Sequence, residues 1–324
     1  MFKERKKIIT ILISVFLALF SNILMGAEFP VKPIQIIVGF APGGDADINA
    51  RLLANALQKE LKKPVVVTNI AGGGGTIAAE QVRLGNSDGY TALFTHWGML
   101  TGEISNMINY NVTEAFQIPA ISVIDPTTVI VTNGNGKYET AKDIFEAAKA
   151  NPGKIKISIE TGTFAHLQWL ILQKENDVQF QFIDTGSQAE RVSALLSNQI
   201  DGYLTQYVSI KDLHKTGKFN IAGAVAKERN SNYKEIPTLS EQGIVGLDEL
   251  SEKYFHLALP KDTPTDVIVK YEEALNNVAK NNTNKKSFND IFVNLEYIPN
   301  SKAKEQINDM RAVIFNYSNL MPKK

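Results

Sequence analysis

Apolar residues follow two rhythms along this chain. Ile34, Ile36, Ile37 and Val38 form a short dense run, whereas Ile48, Leu52, Leu53, Ala56 and Leu57 recur at three- to four-residue intervals. The first pattern predicts a strand over 34–38 and the second a helix over 48–61. The same alternation predicts a strand over 65–68, a helix over 77–84 and a strand over 91–94, the last introduced by the turn Ser87-Asp88-Gly89. A β-α-β-α-β order implies a parallel sheet with helices on both faces.

A second series begins further on. Strands are expected over 129–132, 155–159, 180–183, 203–206 and 221–225. Helices are expected over 141–150, stopped by Asn151-Pro152-Gly153, and over 166–175 and 189–197. A strand over 254–259 then leads into Pro260-Lys261-Asp262-Thr263-Pro264, followed by helices over 267–280 and 301–318. Two similar α/β units with a returning C-terminal portion imply two lobes joined by crossing strands. No internal repeat or low-complexity segment is visible.

Composition narrows the function. The 324 residues carry 34 basic and 34 acidic side chains, so no charge excess points to nucleic acid. Hydrophobic residues make up 44 %, enough for a large core, and the length fits about two domains. There is no cysteine, which excludes disulfides, thiolate metal sites and a lipid-modified N-terminal cysteine. The first residues read as a secretory signal: Lys3, Arg5, Lys6 and Lys7 precede an apolar stretch over 8–20, and Gly26 and Ala27 follow. That stretch is short for a membrane span, which needs roughly 20 residues; the alternative is an uncleaved anchor. With cleavage near Ala27, the 34 charges of each sign become 30 basic and 33 acidic, a net of −3. The mature chain is expected to be soluble, exported to the periplasm and monomeric.

Two glycine-rich turns, each between a strand and a helix start, carry the candidate chemistry. The first is Phe40-Ala41-Pro42-Gly43-Gly44-Asp45-Ala46-Asp47, and the second is Gly72-Gly73-Gly74-Gly75-Thr76. Glycine lets backbone N–H groups approach a ligand without a side chain intervening. A helix start behind such a turn leaves amides unpaired and adds partial positive charge. Two side by side predict a pocket for a small carboxylate, gripped by amides near Gly43, Gly44, Gly74 and Gly75.

In order along the chain, further segments build a family likeness. They are Phe29-Pro30-Val31-Lys32-Pro33-Ile34, Pro42-Gly43-Gly44 with Asp47, Ala71-Gly72-Gly73-Gly74-Gly75, and Ser87-Asp88-Gly89-Tyr90-Thr91. Then come Gly162-Thr163 with His166-Leu167, Asn198-Gln199-Ile200-Asp201, Ile236-Pro237-Thr238 with Glu241 and Gly243, and Pro260 with Thr263-Pro264. Nearly the whole mature chain thereby resembles the Bug receptors, the extracytoplasmic solute receptors of tripartite tricarboxylate transporters. The resemblance implies an α/β, two-lobed periplasmic-binding-protein (type II) fold, each lobe a mostly parallel sheet flanked by helices. It implies lobe 1 from 28–125 and 254–324, lobe 2 from 126–253, a small carboxylate held between them, and an inner-membrane tripartite permease as partner. It implies no cofactor or metal.

The chain departs from the family pattern at three places. Asp45 and Ala46 stand where glycine and a hydroxyl residue are usual. Thr95-His96-Trp97 replaces a small hydroxyl-rich loop. Asp184-Thr185-Gly186 replaces an aromatic residue, a basic residue and glycine. A positive group is thus expected to be lost and two acids gained, favouring an amino acid or another ligand with a cationic or neutral tail. The Gly162-Thr163 and 184–187 turns are expected to close onto the ligand.

Other chemistries find less support. Gly73-x-Gly75-x-x-Ala78 imitates a dinucleotide fingerprint, but the companion acid is missing at Thr95 and His96. Asp184-Thr185-Gly186 imitates an aspartic-protease motif, which needs two such aspartates. A hydrolase or transferase of small acids remains an alternative, as does a receptor that signals to a sensor kinase. His96 follows a strand end, where ligands of open α/β sheets lie. His166 reads either as a cleft residue or as a locally bonded helix start, and Trp97 as ligand contact or packing. Either Asp45 or Asp47 caps its helix, leaving the other for ligand.

Overall fold

The computed structural model describes residues 28–323; the signal segment predicted over 1–27 lies outside the described residues. The chain starts β1 (Ile34–Val38), α1 (Asp45–Leu61), β2 (Val65–Asn69), α2 (Thr76–Arg83), β3 (Thr91–His96), with short helices α3 (Leu100–Ile104) and α4 (Val112–Ala115) after it. Next come β4 (Phe116–Gln117), β5 (Ala120–Asp125), β6 (Thr128–Asn133), α5 (Ala141–Ala150), β7 (Ile155–Ile159), α6 (Phe164–Glu175) and β8 (Phe180–Asp184). The remainder is α7 (Gln188–Leu196), β9 (Gly202–Gln206), α8 (Lys211–Lys215), β10 (Phe219–Ala224), β11 (Lys253–Pro260), α9 (Thr265–Lys280), α10 (Asn282–Asn289), β12 (Asn294–Pro299) and α11 (Asn300–Phe315).

Two sheets result. The first has the order β12-β5-β11-β3-β1-β2, with β4 paired to β11, and the second has the order β10-β6-β9-β7-β8. β1 lies parallel to both β2 and β3, and β7 parallel to both β8 and β9. The other pairings are antiparallel, alternating so that most strands of each sheet still point one way. The α/β, two-sheet architecture read from the sequence is thus present. The chain passes from one sheet to the other between β5 and β6, and returns between β10 and β11.

Side-chain alternation sets which face each sheet buries. In β1, Ile34, Ile36 and Val38 join the core beneath α1 and α9, with Leu53, Leu57, Tyr271 and Leu275. Ile37 points to the other face, where Ala78, Val82 and Ile307 pack. In β6, Val129 and Val131 face α7 and β10 residues such as Leu195 and Phe219, while Ile130 joins Ile144, Leu167 and Trp169.

The apolar pattern gives no expectation for β4, β5 and β12 or for the short helices α3, α4, α8 and α10. β5 is six residues between Pro119 and Pro126, so the breakers dominate its signal. β12 is an edge strand with little buried surface. α10 buries only Phe288 among its eight residues and leans on Asn281, whose side chain accepts from the Thr283 and Asn284 amides.

Candidate functional site

Between the two sheets lies a narrow cleft of about 90 Å³. Three helix N-termini open onto it, through Gly44 and Asp45 of α1, Thr163 to Ala165 of α6, and Ser187 and Gln188 of α7. α1 starts from Gly44, which has no side chain to cap it. Thr163 and Ser187 cap the other two by accepting from the His166 and Glu190 amides. Converging helix starts present amides and partial positive charge to one small volume, which suits an anion.

The loop before α1 is held by Asp47. Its carboxylate accepts from the Gly43 amide at 3.0 Å, from Arg51 and from Asn69, and Asn69 also donates to the Phe40 carbonyl. Burial alone would raise this carboxyl, but these donors hold it below the ordinary carboxylate range. Contrary to the expectation from sequence, neither aspartate caps α1 with its side chain: Asp47 holds the preceding loop and Asp45 lines the cleft.

Charge in the cleft comes as two ion pairs. Lys253 Nζ lies 2.9 Å from Asp45 Oδ2, and Arg191 lies 3.2 Å from Glu160 Oε2. Burial pushes Asp45 up, but Lys253, His96 and the Ala46 amide together outweigh it and the net shift is downward. Glu160 shifts the other way: burial raises it, and Arg191 offsets this only in part. Behind Lys253, and in register with it across the β5–β11 pairing, sits Asp125. Asp125 is fully buried, which pushes its carboxyl up to about 6. One of its oxygens takes both Thr127 donors while Oδ2 has no partner.

His96 completes the wall. Its Nδ1 accepts from the Gly98 amide at 2.9 Å, so the ring proton stands on Nε2. Burial first, and Lys253 second, bring its pKa down to about 3, so the ring is a neutral donor at working pH. Phe40 stacks on it at 5.9 Å, and Phe164, at the start of α6, meets it edge-on at 6.0 Å.

Of the residues expected from sequence to touch ligand, Phe40, Ala41, Gly44, Asp45, His96 and Thr163 line the cleft. The second glycine turn stands elsewhere. Gly75 donates its amide to the Gly72 carbonyl at 3.0 Å, and Thr76 donates its hydroxyl to Gly73. A Cβ on Gly74 would lie 3.2 Å from the Gly162 carbonyl oxygen, and one on Gly75 would lie 3.5 Å from the Phe40 ring. Glycine is needed at both because φ is positive (64° and 96°), and at Gly74 also because the protein's own chain comes close. Two of the four amides expected to hold the carboxylate, those of Gly43 and Gly75, are therefore already bonded within the protein.

Further expected residues also serve the fold. Pro42 is exposed, and Thr95 donates to the His96 carbonyl. Trp97 stacks on Tyr254 at 4.1 Å, donates to the Glu252 carbonyl and faces a separate hollow, which is the packing reading. His166 accepts from the Gly162 amide, the local reading. The Gly162 carbonyl takes the Thr101 hydroxyl, a contact between the two halves. Asp184 is tied to the Thr161 and Gly186 amides, and Thr185 to Ser158.

Two cations that the sequence reading did not find, Lys253 and Arg191, both line the cleft. They sit outside the turns that were compared. Lys253 opens a mostly apolar buried strand, and Arg191 lies one helical turn beyond the Ser187 cap. A charged residue at either place is the signal that could have found them. Glu160 is the residue after the β7 C-terminus, the strand end at which ligands lie.

Comparisons with known proteins fit this geometry. A model of the family described as Tripartite tricarboxylate transporter family receptor matches residues 49–313. The chain is 29 % identical to Protein BugT of Bordetella pertussis over 252 residues, covering 76 % of each. The periplasmic binding protein BugD superposes with a TM-score of 0.83 at 23 % identity, over 91 % of this chain and 100 % of that one. MatC from Rhodopseudomonas palustris, whose structure holds malate, superposes with a TM-score of 0.81 at 20 % identity, over 90 % and 100 %. At these identities the two structures speak to the fold. Among the described residues no helix is long and apolar enough to cross a membrane, and no cluster of His, Asp and Glu is arranged to hold a metal.

Proposed function

Because the chain belongs to the tripartite tricarboxylate transporter receptor family, we propose that it is a periplasmic receptor for a small carboxylate-bearing solute, an amino acid or a mono- or dicarboxylate. Its two lobes are residues 28–125 with 254–324, and 126–253. The solute enters between them and is handed to a tripartite permease in the inner membrane. The leader over 1–27 is removed near Ala27.

The observation that carries this reading is the meeting of the α1, α6 and α7 N-termini on one cleft, together with two cations. First-turn amides of α1, the His96 Nε2–H, Lys253 and Arg191 all donate toward an anion. Binding draws the lobes together only through contacts made in the closed arrangement, such as those flanking Gly162. No substrate bond needs breaking for this role, and we read the protein as a receptor rather than an enzyme.

Thermal unfolding in the presence of a carboxylate panel tests the reading. A ligand at 100 times its Kd stabilises by about 2.7 kcal/mol, and it is recovered unchanged after incubation. A panel that leaves the transition unmoved, or a solute that is consumed, overturns the reading.

A further inference from the structure

The charges on the cleft wall decide which class of carboxylate it accepts. Asp45 and Lys253 stand on one side, and Glu160 and Arg191 on the other. Their signs cancel, and His96 is neutral. A dicarboxylate enclosed here brings two negative charges into a space that holds no surplus cation. Desolvated charge without a partner is costly, and a helix N-terminus supplies only about half a unit of positive charge.

The corner around Lys253 is short of cations. Asp45 is the first residue of α1, so a carboxylate of the protein already stands at that helix's positive end. Asp125 lies in register with Lys253 and is fully buried, with Oδ2 lacking a partner. The one ammonium there is already paired with Asp45, and Asp125 behind it has no ion-pair partner. On the opposite wall the Gln168 side chain is buried, and its amide orientation is fixed by donation to the Leu250 carbonyl. Its Oε1 is therefore an acceptor without a donor.

Resting on the carboxylate-receptor reading, we propose that the solute is an amino acid that inserts into the Asp45–Lys253 pair. Its ammonium meets the Asp45 carboxylate, and its carboxylate meets Lys253 and the first-turn amides of α1. The cleft keeps its charge balance, because one ion pair becomes two around a zwitterion. Asp45 is then the residue that selects an amino acid over the same acid without its nitrogen.

The test is calorimetry on matched probes: the twenty standard amino acids, and saturated mono- and dicarboxylates of matching chain lengths. A charge-assisted contact of this kind corresponds to a preference of about 10- to 100-fold for the amino member of a pair. Asp45→Asn should remove most of that preference, and Asp45→Glu, which keeps the charge, should retain it. Circular dichroism on each variant reports whether it has folded. A deamino acid that binds as tightly as its amino partner, or an Asp45→Asn variant with an unchanged preference, overturns the inference and leaves the carboxylate reading standing. Binding by no member of either set overturns both.

Discussion

Acidification should destabilise this protein through two histidines, and one aspartate should partly resist the loss. His256 lies in the middle of β11, is 1 % exposed, and has no partner on either ring nitrogen. Burial brings its pKa from 6.5 down to about 4, and that of His96 from 6.5 to about 3. Once unfolded, both rings take up a proton below about pH 6.5, which the native state refuses. Stability is therefore present above that pH and lost as the pH falls below it. Between pH 7.5 and pH 5 each histidine loses about 2 kcal/mol. Asp125 has the opposite sign. Its folded pKa of about 6 exceeds its ordinary 3.8, so the native state binds the extra proton and regains about 1.4 kcal/mol over the same interval. The three groups together predict a loss of about 2.5 kcal/mol, roughly 5–10 °C in Tm. Urea unfolding at both pH values, followed by far-UV circular dichroism and tryptophan fluorescence, measures it. His256→Leu should shrink the drop to about 0.5 kcal/mol, and Asp125→Asn should deepen it to about 4 kcal/mol. A His256→Leu protein with the wild-type drop would refute the reasoning.

Three further substitutions probe the site. Asp47→Ala removes the acceptor of the Gly43 amide and of Arg51 and Asn69, and should cost about 2–3 kcal/mol by urea unfolding, with faster amide exchange at Gly43. Gly74→Val puts a branched side chain at φ 64° against the Gly162 carbonyl, so X-ray scattering should show a protein that stays expanded in saturating solute; compaction equal to wild type would count against a closing contact there. Arg191→Met leaves Glu160 half-buried beside Asp184 without its cation, and calorimetry should show the solute weakened by about tenfold or more.

The α/β alternation was legible because β1 is a short dense apolar run and α1 carries a period of about 3.6, as Ile34, Ile36, Ile37 and Val38 and then Leu53 and Leu57 show. The strands missed, β4, β5 and β12, complete the first sheet from distant parts of the chain, and partners so far apart leave little mark in a local window. At the site, Gly44, Asp45 and His96 were legible as residues at a strand end or helix start. The glycine run over 72–75 was legible as close backbone approach, but sequence does not say what approaches. Here it is Gly162 and Phe40 of the protein itself. Lys253 and Arg191 were not legible, because pairing with Asp45 and Glu160 depends on how the two sheets face each other.

The most direct measurement is a crystal structure of the protein with the carboxylate that most raises its Tm. The account predicts a carboxylate oxygen within hydrogen-bonding distance of the α1 first-turn amides and of Lys253, with Arg191 or Glu160 closing from the other side. A carboxylate seated instead in the hollow beside Trp97 and Tyr254, with the cleft between the sheets empty, would contradict it.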